Sequence, residues 1–253
     1  RIWKYYRPPA NCTRAMVWLA MMEGARSVAC WSWGPVPDTM KDFSYRNNGV
    51  PGREYITTIT GWDGRGTPQL EEYTEAAQEI QPYARLVRAM VKEATPPPGG
   101  TNLPAGHQII PEATPTTAPI FDLQEKDARW RSFSVPGFSG RVVVVVNTAV
   151  GSWCGGRSPR MLSPNDLFRI DDRGNLVDYE PFRSPRTLTG RVLMARAECT
   201  DLATGKRLPV NDDGTVVFTA APGGGRILFI SRADSGEPAR LRRQFRLPTG
   251  VSS

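Results

Sequence analysis

Five residues of one stretch, Trp31, Trp33, Asp38, Trp62 and Asp63, have the chemistry that holds a sugar. Indole faces stack on the C–H faces of a pyranose, and carboxylates accept hydrogen bonds from its hydroxyls. Tyr45, Asn47, Asn48 and Tyr55 lie among them and add polar partners of the same kind. A second reading of the same residues stays open at this point. Trp31 and Trp33 would then be core aromatics, and the residues behind them a cover.

Other chemistry is narrowed by composition. The chain of 253 residues has one histidine, His107, which excludes HExxH zinc sites and multi-histidine metal centres. Cys12, Cys30, Cys154 and Cys199 show no CxxC spacing and read as small buried hydrophobes, with a Cys154–Cys199 bridge left open. No metal and no cofactor are expected. Gly223-Gly224-Gly225 leads into an apolar run and not into a helix, so it reads as a turn and not as a phosphate cradle. The pairs Asp171/Asp172 and Asp212/Asp213 precede glycine, where aspartate serves turns. Asn11-Cys12-Thr13 matches the glycosylation sequon but falls at a helix start.

The formal net charge is +7, with most of the excess after Ile120 and arginine far commoner than lysine. The charges are scattered, which suits a solvated surface better than a nucleic-acid stripe. No apolar run approaches the ~18 residues of a membrane span; the longest is Ala15 to Met22. No leader precedes Arg1, and the chain reads as a piece of a longer protein of undecided compartment.

Three stretches must position these groups: 1–92, largely helical; 93–119, rich in proline and read as a linker; and 120–253, an all-β domain. In the first, Pro8 and Pro9 open a helix to Glu23, with Gly24 as its stop. Ser27 to Trp33 reads as a buried strand of a parallel sheet, closed by Gly34-Pro35. A long connection to Gly66 follows, and Thr67-Pro68 begins a second helix. Its stripe of Leu70, Tyr73, Ala77, Ile80, Ala84, Val87 and Val91 predicts one buried face, with a kink or break at Pro82. In the third stretch Val142 to Val146 reads as a strand buried on both faces. Asp171 to Gly174, Asn211 to Gly214 and Pro222 to Gly225 read as turns. Ala239, Leu241, Phe245 and Leu247 alternate with polar residues and predict one more strand. Seven or eight strands in all suit a sandwich.

Arg7-Pro-Pro9, Ala15-Met-Val-Trp18-Leu-Ala20, Glu23-Gly-Ala25 and Cys30-Trp-Ser-Trp33 together resemble the last barrel unit of clan-A-type glycoside hydrolases, β-galactosidase-like enzymes among them. Asp63-Gly64 and Thr67-Pro68 match the element that follows, and the β half is similar to the sandwich such proteins often carry. The resemblance implies an α+β chain: the terminal helix–strand–helix unit of an incomplete TIM barrel, then a β-sandwich. Trp33 would be the aromatic at the end of strand eight, with Trp31 the second choice. The acid/base and nucleophilic glutamates of such enzymes end strands four and seven, which would precede Arg1. Glu23 lies on the helix and is not the nucleophile, so no catalytic residue is assigned. The expected partners are a carbohydrate and the N-terminal barrel segment of the same protein, without membrane or nucleic acid. Two rivals are a non-catalytic carbohydrate- or protein-binding module, and a polyanion-binding domain using Arg240, Arg242, Arg243 and Arg246.

Overall fold

Nine strands and four α-helices make three layers in the computed structural model, which describes residues 11–28, 68–93, 119–123, 125, 127–149 and 185–248. The chain order is α1 (Cys12–Met22), α2 (Pro68–Ile80), a 3₁₀ turn (Gln81–Tyr83), α3 (Ala84–Ala89) and β1 (Val91–Lys92). Then follow β2 (Phe121–Leu123), β3 (Ala128–Ser134), β4 (Arg141–Asn147), β5 (Arg186–Val192) and β6 (Ala197–Asp201). The last elements are β7 (Arg207–Leu208), β8 (Thr215–Ala220), β9 (Gly225–Arg232) and α4 (Glu237–Phe245). A six-stranded sheet has the order β1-β3-β4-β9-β6-β7 and a three-stranded sheet the order β2-β5-β8. Every described strand pair is antiparallel. The fold is α+β.

The valine run explains the layering. Val142, Val144 and Val146 point into a core shared with the helices, and Val143 and Val145 into a second core between the sheets. β9, paired with β4 from Gly225↔Val146 to Ile230↔Arg141, divides in the same way. Ile227 and Phe229 face the helices, while Leu228 and Ile230 face the other sheet. Both strands are therefore apolar at successive positions because both faces are buried. Between the sheets Phe121 and Trp130 meet edge to face, centroids 5.4 Å apart.

The helical core crosses the boundary drawn at 93–119. Trp18, Met22, Ala76, Leu86 and Met90 pack with Val144, Phe229 and Leu241 in one cluster. β1, from the first stretch, adds an edge strand to β3 through Val91↔Ser134. Glu93 continues that edge: its N–H donates to the Ser132 carbonyl at 3.1 Å, and its carboxylate takes Arg141 Nε at 2.5 Å. The stretches 1–92 and 120–253, on either side of the proline-rich segment, therefore share one core.

Several local expectations change for physical reasons. α1 begins at Cys12 and ends one residue before Glu23; Pro8 and Pro9 lie outside the described residues. Pro82 does break the second helix, into α2 and α3 with a 3₁₀ turn between them. The stripe read as its buried face is the wrong arc: Ala77 and Ala84 are exposed, and Leu70, Tyr73 and Ile80 only half-buried. Of the stripe Val87 is buried; the other buried positions are Glu72, Ala76, Tyr83, Leu86 and Met90, an arc that a carboxylate hides from any hydrophobic count.

The strand expected over 239–247 is a helix. Leu241 and Phe245 are buried four residues apart, one helical turn, and Pro238 opens the helix. Arg246, at φ 54°, ends it with Leu247 N–H donating back to the Arg242 carbonyl at 3.0 Å and the Leu247 side chain buried. A spacing of four fits either period, and packing chose the helical one. Ser27 and Val28 are exposed and lie in no strand; the rest of the expected strand, and the turn at Asp171 to Gly174, are outside the described residues. Asn211 to Gly214 and Pro222 to Gly225 form turns as expected, closed by Gly214 N–H to Asn211 O and Gly224 N–H to Ala221 O. Cys199 is a free, buried thiol pushed up to about 12 by burial, so it is chemically quiet at neutral pH; Cys154 is outside the described residues.

α4 is locked to the sheet by Glu237. Its carboxylate accepts from the N–H groups of Ser139 (2.8 Å) and Gly140 (2.9 Å) and from Ser139 Oγ (3.0 Å). Burial pulls its pKa up, but these bonds and Arg240 outweigh it and hold the carboxyl below its ordinary value. Glu237→Ala should cost about 2–3 kcal/mol, because the buried N–H of Gly140 and the partly buried N–H of Ser139 lose a charged acceptor. Chemical denaturation checks this; a loss under 0.5 kcal/mol would mean that water replaces the carboxylate.

Candidate functional site

Trp31, Trp33, Asp38, Trp62 and Asp63 all lie outside the described residues. The frame from which their segment departs and to which it returns is described, at Val28 and at Pro68. That frame is the pair α1 and α2, and its register can be followed bond by bond. Glu72 accepts the N–H groups of Asn11 at 2.6 Å and Thr13 at 3.0 Å, and Arg14 N–H lies 3.4 Å away. Arg14 pairs with Glu75 and Glu79, and Trp18 Nε1 donates to Glu79 at 2.8 Å. Further on, Arg26 donates to the Met90 carbonyl at 2.8 Å, and Lys92 pairs with Glu23 at 2.6 Å. Later residues of one segment meet later residues of the other, so the two helices run parallel.

Parallel consecutive helices need a return connection between them. Gly24, at φ 98°, turns the chain after α1. By Val28 the chain is back beside the first turns of α2, where Tyr73 Oη donates to the Val28 carbonyl at 3.2 Å. From Gly24 to Val28 the chain thus travels against both helices.

The start of α1 is capped by another helix. Asn11, left-handed at φ 65°, makes no side-chain cap, and the buried Glu72 carboxylate supplies the missing acceptor. Burial raises the Glu72 pKa above its ordinary 4.5, and the three N–H groups offset this only in part. A raised carboxyl favours folding most below the ordinary value, and that contribution is lost as pH rises through the folded-state value. Glu72→Gln keeps an acceptor without the charge. Its melting temperature should therefore gain on the wild type between about pH 4 and about pH 7. Glu237→Gln should show the opposite trend at lower pH, its deficit against the wild type shrinking as pH falls below the ordinary carboxyl value of about 4.5. Paired thermal melts from about pH 3 to about pH 7 test both signs; parallel curves for Glu72→Gln would show that its folded-state pKa is not raised.

The three-glycine turn has a role that sequence reading missed. It seats α1 on the sheet. A Cβ on Gly223, at φ 67°, would overlap the Asn11 carbonyl oxygen, and one on Gly225 would enter the Trp18 indole. Gly225→Ala should cost about 1–3 kcal/mol through displacement of Trp18, read as a lower midpoint in urea. An unchanged midpoint would mean that α1 is not held on this turn.

Other reactive groups are accounted for structurally. Glu23 is a clasp, paired with Lys92 and with Arg131 at 3.1 Å; burial raises its pKa, but Lys92 and Arg131 together lower it. Asn11 is 6% exposed with its N–H on Glu72, so the sequon is closed in the folded chain. Tyr83 is pushed up to about 12, chiefly by burial and then by Asp201, and stays a neutral phenol. Burial and Glu72 raise the Cys12 thiol, which keeps it protonated at neutral pH. Arg242 is spent on the carbonyls of Leu202 and Pro248, and Arg240 on the Gly137 carbonyl, Glu237 and the face of Phe138. Among the described residues no three His, Cys, Asp or Glu are placed to hold a metal ion, and no helix is long and apolar enough to cross a membrane. Compared with known proteins, the chain matches no family model, no curated protein and no solved structure.

Proposed function

We propose that the chain is the C-terminal part of a glycoside hydrolase, the last helix–strand–helix unit of a TIM barrel braced by a β-sandwich. The observation that carries this is the parallel run of α1 and α2 with the chain reversing between them onto Tyr73. Helix, reversed chain and parallel helix are the geometry by which an α/β unit covers a parallel sheet.

The unused apolar surface of the two helices supports the same reading. α2 has one arc on the antiparallel sheet and a polar arc with Glu71, Glu75 and Gln78. A third arc, Leu70, Tyr73, Ala77, Ile80 and Ala84, is apolar yet only partly covered by the described residues. α1 has a single charged residue, and Met16 is 60% exposed beside half-buried Leu19 and Ala20. A surface helix facing one core needs one apolar stripe, whereas a helix between two layers needs two. The second layer would be the barrel, entered after Val28 by residues 29–33 as strand eight. The site would then open at the end where α1 and α2 begin, because barrel helices run against their strands and the sites sit at the strands' C-terminal ends.

In this role Trp33 stacks on the sugar, with Trp31 and Trp62 beside it, and Asp38 and Asp63 accept from hydroxyls. The two carboxyl groups that protonate the leaving oxygen and attack the anomeric carbon belong to earlier strands. The chain of 253 residues should therefore hydrolyse no aryl glycoside by itself. Joined to its upstream segment it should, and Trp33→Ala should then lower kcat/KM about 5- to 150-fold, equivalent to about 1–3 kcal/mol. Normal kinetics with a lowered Tm would make Trp33 a core residue. Turnover by the isolated chain would overturn the placement of the carboxylates.

A further inference from the structure

We draw no further inference here: the strongest candidate, the surface patch of exposed arginines Arg243 and Arg246 at the end of α4, carries nothing because no group in the structure shows what anion would cover it.

Discussion

Trp18→Ala is expected to cost about 3–5 kcal/mol, a large part of the stability of a chain this size. The indole is 2% exposed and lies over Gly225, where the sheet offers bare backbone, so no neighbouring side chain can move in to fill the space. Its Nε1–H also supplies Glu79 with a donor, and Glu79 in turn holds Arg14. Truncation therefore opens a cavity and loosens the pairing of α1 with α2 together. Trp18→Phe separates the two effects: it keeps most of the ring and removes the hydrogen bond, for a smaller loss of about 1 kcal/mol beyond the volume change. Urea unfolding of the three proteins measures this. A loss below about 1.5 kcal/mol for the alanine variant would mean that α1 does not share the core of the sheet.

Removing residues 1–92 should do more than destabilise; it should abolish a fixed native state. Val142, Val144, Val146, Ile227 and Phe229 would lose the cover of Trp18, Met22, Ala76, Leu86, Val87 and Met90. Each large apolar side chain buried there contributes about 1.5–3 kcal/mol, so the group together rivals the ~5–15 kcal/mol of a whole domain. In a fragment of residues 120–253, β3 also lacks its edge partner β1, and β4 lacks the ion pair of Arg141 with Glu93. A fragment of residues 120–253 should bind a hydrophobic dye, show poorly dispersed amide signals and melt without cooperativity. Sharp dispersed signals and a cooperative melt would show that the sandwich core and α4 suffice, and would restore the proline-rich stretch as a true domain boundary.

Where one residue type repeats on one pattern, the sequence by itself was enough. Five valines in succession determine a strand covered on both faces, and Asn211 to Gly214 determines a turn through glycine at φ 84°. Pro82 determines a break, because its ring has no N–H to give and clashes with the preceding turn. The helical character of the first stretch and the strands of the third followed from such local signals. These are properties of short windows, and nothing distant has to be known to read them.

The tertiary structure decided whatever depends on a partner far along the chain. Glu72 looks like a solvated residue in its helix, and becomes a buried cap only because α1, about sixty residues earlier, ends its N-terminus against it. The glycines at 223–225 read as an ordinary turn until α1 is seen resting on them. Leu241 and Phe245 satisfy a strand and a helix equally well in sequence; the space above Phe229 and beside Leu202 selects the helix. On α2 the apolar stripe named a face without saying which layer it meets, since periodicity records that a surface avoids water and not what lies opposite. Two arcs of one helix, one charged residue buried and one stripe half open, are resolved only when all three layers are in place.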